Sequence, residues 1–227
     1  MGRAGLVFLF MVLSAQAAWG QIGRISEADA VAGLRTALEK GTQAAVQNLG
    51  RTDGFLGNAL VRIALPPSAQ RAEQLMRRVG MGKYADELVV TMNRAAEAAV
   101  PEARQVFLQS VRSMTLRDAK GILTGGETAA TDYFRRSTRP ALHQRFLPIV
   151  HEANAKVGLA RSYEGFAGKA AAFGLLRQED ADLDEYVTGK ALDGLYVMVA
   201  EEEKKIRAEP LATGSQILRK VFGALQR

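Results

Sequence analysis

The chain has 227 residues, no cysteine and a formal net charge of +6 at pH 7. The missing thiols exclude disulfides, thiol chemistry and thiolate metal sites, so an apolar core alone must hold the fold together. The length suffices for one domain with such a core.

Met1 to Gly20 has the composition of a secretory signal peptide. Arg3 supplies the positive start, Ala4–Leu13 the apolar run and Ser14–Ala18 the small-residue tail. Ala15-Gln16-Ala17 and Ala18-Trp19-Gly20 both fit a cleavage site, which puts the mature start at Ala18 or Gln21. The apolar run is too short to span a bilayer. No cysteine follows it to carry a lipid, and no later run reaches spanning length. The expected product is an exported, periplasmic domain over 21–227 with no transmembrane helix. Export argues against nucleic acid as a partner. The positive charge then suits either an anionic envelope component, a lipid head group or a cell-wall polymer, or simply solubility.

Ser26 with Asp29 opens a helix that Gly50 ends, with Val31, Leu34, Leu38, Ala45 and Leu49 on one face. Gly33 and Gly41 inside it suggest a close neighbour. Thr52–Asn58 is a turn-rich loop carrying Phe55 and Leu56. Leu60–Leu65 reads as extended chain before Pro66-Pro67; with no partner strand in sight, it should lie on a helical core. Ser68 starts a helix that stops at Gly80. Lys83–Met114 has the most persistent helical period, and Pro101 must kink or restart it. Asn93 and Glu97 share a face there, and Arg94 sits three residues before Glu97, a spacing that suits either a buried polar cluster or an ion pair on a solvated edge.

Met114–Arg139 is the densest run of turn, cap and polar signals. Thr115 and Asp118 form a capping-box pattern for a short helix. Gly125 and Gly126 favour a turn, because only glycine reaches positive φ without steric cost. Thr124 with Glu127 repeats the capping-box spacing, which would place both glycines in the first turn of a second helix. Their N–H groups would then face an approaching anion, aided by the positive end of the helix. Thr131, Asp132, Tyr133 and Arg135 follow within a few turns, with Asp132 spaced to pair with Arg136 and leave Arg135 free. The competing reading is a close helix–helix corner that needs glycine for packing. No Gly-Lys-Ser/Thr follows, so a P-loop is excluded.

Pro140–Val157 reads as a further helix with Pro148 inside it. His143 and His151 make a poor metal pair, no zinc-protease or di-iron ligand set is present, and no tightly held metal or other cofactor is expected. No serine sits in a nucleophile-elbow sequence. Ser162–Gly174 is a short helix. Glu179–Glu185 lacks the glycine and final glutamate of a calcium loop. Asp182–Ala208 is a helix with Leu183, Tyr186, Val187, Leu192, Leu195, Tyr196 and Val199 inward. Its end pairs Glu201 with Lys205 and Glu203 with Arg207 on a solvated face. Thr213–Arg227 is a last amphipathic helix. Together these elements predict an all-α, single compact multi-helix domain of about eight to ten helices.

Five blocks carry a resemblance to a bacterial exported family known as domain of unknown function 4197. They are Asp29–Gly41, Asp53–Asn58, Met92–Ala103, Ile122–Arg135 and Asp193–Pro210. The resemblance spans nearly the whole chain after Gly20 and implies an all-helical, periplasm-directed domain; it brings no activity and no catalytic residues. Three functions remain open on the residues themselves. One is a binding or scaffold protein with a polar site at the central glycine corner, drawing on Asn93, Arg94, Glu97, Asp118, Thr124, Gly125, Gly126, Thr131, Asp132, Tyr133 and Arg135. Another is a hydrolase or transferase in which two of Glu97, Asp118 and Asp132 converge, one with a raised pKa. The third is a carrier with an apolar ligand held between helices.

Overall fold

The computed structural model describes residues 27–156, 159–172 and 183–209. The Met1–Gly20 signal peptide and the Thr213–Arg227 helix lie outside these residues, as does most of the Glu179–Glu185 acidic run.

Helix α1 is Glu27–Leu49, α2 Pro67–Arg78 and α3 Lys83–Ala99. A single 3-10 turn, Val100–Glu102, joins α3 to α4, Ala103–Ser113. Pro101 lacks an N–H and crowds the preceding turn, so the helix tightens and bends there without stopping. Helices α5, Leu116–Thr124, and α6, Ala129–Lys156, meet at the central corner. Leu159–Ala172 is α7 and Leu183–Ala208 is α8. With α3 and α4 taken as two limbs of one bent rod, the described residues make seven helices in one compact, all-α domain. Among the described residues the count is thus below the eight to ten expected.

One reason for the lower count is α6, which is continuous where Pro140 had suggested the start of a separate helix. Pro140 and Pro148 lie inside this 28-residue helix and both are exposed. The carbonyls they leave unpaired face water, so the helix is not broken.

Helix α8 is the centre of the packing, lying against α6, α1 and α3. Leu183, Val187, Leu192, Leu195, Tyr196 and Val199 are buried as the period predicts; Tyr186 is only partly covered. Phe107 of α4, Phe134 of α6 and Tyr196 of α8 interlock edge to face, with ring centroids 5.1 and 6.3 Å from Phe107. Such pairs add to plain burial because the ring edge is positive and its face negative. Gly41 does mark a close neighbour: a Cβ there would stand 3.2 Å from Ile206 Cδ1 of α8.

Leu60 and Val61 belong to a turn in which the Val61 and Arg62 N–H groups donate to the Asn58 carbonyl at 3.1 and 2.9 Å. Only residues 62–65 of the expected extended stretch therefore pack on the helices outside a turn; they have no partner strand, and Asn93 of α3 substitutes for one. The Ile63 N–H donates to Asn93 Oδ1 at 2.9 Å, and Asn93 Nδ2 donates to the Ile63 carbonyl at 2.8 Å. Asn93 Nδ2 also donates to the Val89 carbonyl at 2.7 Å. A fully buried side-chain amide thus satisfies itself and a strand-like segment together.

Candidate functional site

The central corner differs from its expected form. Thr115 and Asp118 do form the capping box at the start of α5. The Thr115 donors also hold the Asp118 carboxyl below its ordinary range. Thr124, however, donates to the Lys120 carbonyl at 2.9 Å, inside α5, and forms no capping box with Glu127. Gly125 caps the C-terminus of α5 in extended backbone at φ −83°, and among the described glycines only Gly80 has positive φ. The glycines therefore precede α6 rather than forming its first turn. The turn closes through the Ala129 N–H to the Gly126 carbonyl at 3.2 Å and the Asp132 N–H to the Thr128 carbonyl at 2.8 Å.

The N–H groups that α6 leaves unpaired belong to Ala130 and Thr131, and they already hold an anion: the carboxylate of Glu203 on α8. Ala130 N–H donates to Oε1 at 2.9 Å and Thr131 N–H to Oε2 at 2.8 Å, while Thr131 Oγ1 donates to Oε2 at 2.8 Å. Arg207 adds Nε at 3.0 Å and Nη2 at 2.8 Å, and its Nη2 also donates to the Ile122 carbonyl of α5 at 3.0 Å. The positive helix start attracts negative charge, as the sequence suggests, but the charge is the protein's own. Glu203 pairs with Arg207 as its spacing predicts, yet Glu203 is buried and Arg207 partly buried rather than solvated. Its neighbours pair as Glu201–Lys204 and Glu202–Lys205, so the Glu201–Lys205 expectation is corrected.

Asn93, Arg94 and Glu97 form a second clasp of the same design, resolving the choice between cluster and solvated edge in favour of the cluster. Glu97 Oε1 accepts the N–H groups of Phe55 and Leu56 at 3.1 and 3.2 Å. Arg94 pairs with Glu97 Oε2 at 2.7 Å and with Asp53 Oδ1 at 2.7 Å. These contacts, Glu97 first, push the Arg94 guanidinium above its usual pKa. Each clasp is a buried glutamate that accepts two successive N–H groups and pairs with an arginine of its own helix.

The remaining residues of the expected site disperse. Tyr133 is buried and donates to the Ser110 carbonyl at 3.1 Å. Asp132 accepts from Thr128 Oγ1 at 3.2 Å instead of pairing with Arg136. Arg135 is exposed and stands over the Tyr196 ring, 5.1 Å from its centroid. Glu97, Asp118 and Asp132 each have their own hydrogen-bond partners, and no hydrogen bond joins any two of the three.

Two features escaped sequence reading. Both histidines reach the first turn of α8: His143 Nε2 lies 2.8 Å from Glu185 Oε2, and His151 Nδ1 bonds Asp184, which also accepts from Asn154. The Asp184 contact raises the His151 pKa above 6.5. A raised pKa in the folded chain stabilises it fully below the unfolded value, and that contribution disappears as pH rises through the folded one. An NMR titration should therefore show His151 above 6.5 in the wild type and back near it in Asp184→Asn. An unmoved midpoint would show that the pair does not form in solution.

The other feature is an open groove of about 460 Å³ between the 60–65 segment and α8. Its apolar lining residues are the buried Val61, Ile63 and Leu65 with the partly exposed Val197 and the exposed Leu60; Arg62, Gln70, Tyr186, Lys190 and Asp193 contribute polar groups. Gly194 lets α8 approach this segment, since a Cβ there would stand 2.7 Å from Phe55 Cε1 and 3.2 Å from Val61 Cβ. Tyr186 Oη donates across the groove to the Ala64 carbonyl at 2.9 Å. No helix among the described residues is long and apolar enough to cross a membrane.

No curated protein and no solved structure matches the chain. A family model described as a protein of unknown function, DUF4197, matches residues 24–223. Every element described above falls inside that match, the two clasps and the groove included, and the chain belongs to the DUF4197 family.

Proposed function

We propose that the protein is an exported, periplasmic binding protein of the cell envelope, holding a small ligand in the groove between the 60–65 segment and α8. The observation that carries this reading is the groove itself. Its volume of about 460 Å³ lies within the range of about 300–1,000 Å³ common for small-molecule clefts. Its floor is held by Asn93 behind Ile63 and by the Tyr186–Ala64 bond across it, so it needs no ligand to take shape. The signal-peptide composition of Met1–Gly20 supports the location.

Native mass spectrometry of protein purified from its own envelope tests the reading. The wild type is expected to carry a retained small-molecule mass. Ala64 is exposed and lines the groove, so Ala64→Trp should fill the groove and abolish that mass while leaving the circular dichroism spectrum unchanged. A wild type without extra mass, or a variant that retains it, would remove the groove as the binding site.

A further inference from the structure

Resting on the groove as the binding site, we infer that its ligand is an amphiphilic anion, an apolar body bearing a carboxylate or phosphate group. Three charged side chains line the groove: Arg62, Lys190 and Asp193. Asp193 is already paired with Arg139 at 2.9 Å. Arg62 and Lys190 have no carboxylate partner among the described residues; Lys190 stands 5.8 Å from the centroid of the Tyr186 ring. The groove therefore presents two positive charges without a compensating free acid.

The backbone adds a donor. Ile63 turns both its N–H and its carbonyl to Asn93. In strand-like chain, successive residues turn these groups to opposite edges. Ala64 accordingly faces the other way, where its carbonyl receives the Tyr186 hydroxyl. The Ala64 N–H lies on that same edge and has no partner among the described residues. One N–H and two cations are thus gathered where the nearest carbonyl is already used, so the ligand must bring acceptors and negative charge. Its other part must be apolar. Val61 and Val197 line the groove, and Leu60, 66% exposed, stands at its edge as one of the most exposed large apolar side chains described. A fully hydrated anion would leave that surface uncovered.

Calorimetric titration of the full chain at low salt with decyl phosphate, decanoate, decanol and inorganic phosphate tests this. Decyl phosphate and decanoate are expected to bind, their order telling a phosphate from a carboxylate ligand. Decanol should bind at least about tenfold more weakly, and inorganic phosphate should give no heat over the same range. Arg62→Gln and Lys190→Gln, both at exposed positions, should each weaken decyl phosphate about tenfold and leave decanol unchanged. Decanol binding as tightly as decyl phosphate, or unchanged affinity in both variants, overturns the anionic half of the inference and leaves the groove itself standing. Inorganic phosphate binding as tightly as decyl phosphate overturns the apolar half. No binding by any of the four overturns the inference outright, and the retained-mass measurement then decides separately whether the groove binds anything.

Discussion

Glu203→Ala should destabilise the protein by about 3–5 kcal/mol, because it breaks a buried pair and leaves its partners desolvated. Two backbone N–H groups at the start of α6, the Thr131 hydroxyl and the Arg207 guanidinium would lose their acceptor together. For a domain of this size that is a fall of about 6–20 °C in thermal midpoint. Glu203→Gln should cost less, since one side-chain oxygen still accepts while the amide nitrogen faces donors. Arg207→Ala should cost less again, because the carboxylate keeps its three α6 donors. Urea unfolding of the three variants gives the ranking. A loss below about 1 kcal/mol for Glu203→Ala would mean the carboxylate is solvated and the clasp carries little.

The second large effect lies at a glycine outside the central corner. A Cβ at Gly54 would stand 2.4 Å from the Leu49 carbonyl oxygen and 2.5 Å from that of Asn48. Both obstacles are backbone at the end of α1, so no rotamer change relieves them. Gly54→Ala is expected to cost about 3 kcal/mol or more and to loosen the loop that Glu97 holds. The corner glycines split. A Cβ at Gly125 would meet Ala129 Cβ at 2.6 Å and the Gly121 carbonyl oxygen at 2.7 Å, whereas at Gly126 nothing lies within 4 Å. Gly126→Ala should leave the unfolding midpoint unchanged and Gly125→Ala should lower it. Equal effects at the two positions would refute the steric argument.

The helices were legible because their cores follow the helical period, from Leu34 and Leu38 in α1 to Leu192 and Val199 in α8. The spacing of Asn93, Arg94 and Glu97 left a buried cluster and a solvated ion pair both open, and did not show that the partners would be the backbone of residues 55, 56 and 63. Glu203 was misread as solvated although it follows Val199 by four residues, on the buried stripe of α8; a charge on an apolar stripe was the available signal. The positive start of α6 was expected at Gly125 and Gly126 and lies instead at Ala130 and Thr131, with the protein's own Glu203 as its occupant. Local sequence shows unpaired donors, and only the tertiary fold shows that an acid more than 70 residues away reaches them. The groove was illegible for the same reason, since Ala64 and Tyr186 are 122 residues apart. Pro140 misled as a helix start because proline reports a lost hydrogen bond but not which face of the helix loses it, whereas Pro148 lies inside the helix as expected.

The two clasps also set an order of assembly. Glu97 reaches back 41 and 42 residues to Leu56 and Phe55, so its loop closes once the first half of the chain is available. Glu203 reaches back 72 and 73 residues to Thr131 and Ala130, and Arg207 reaches 85 to Ile122. A chain that emerges from its amino end therefore presents α5 and α6 with their junction unsealed until α8 arrives. Until then the start of α6 has only solvent or a chaperone to satisfy it, and α8 acts as the bolt that seals the junction.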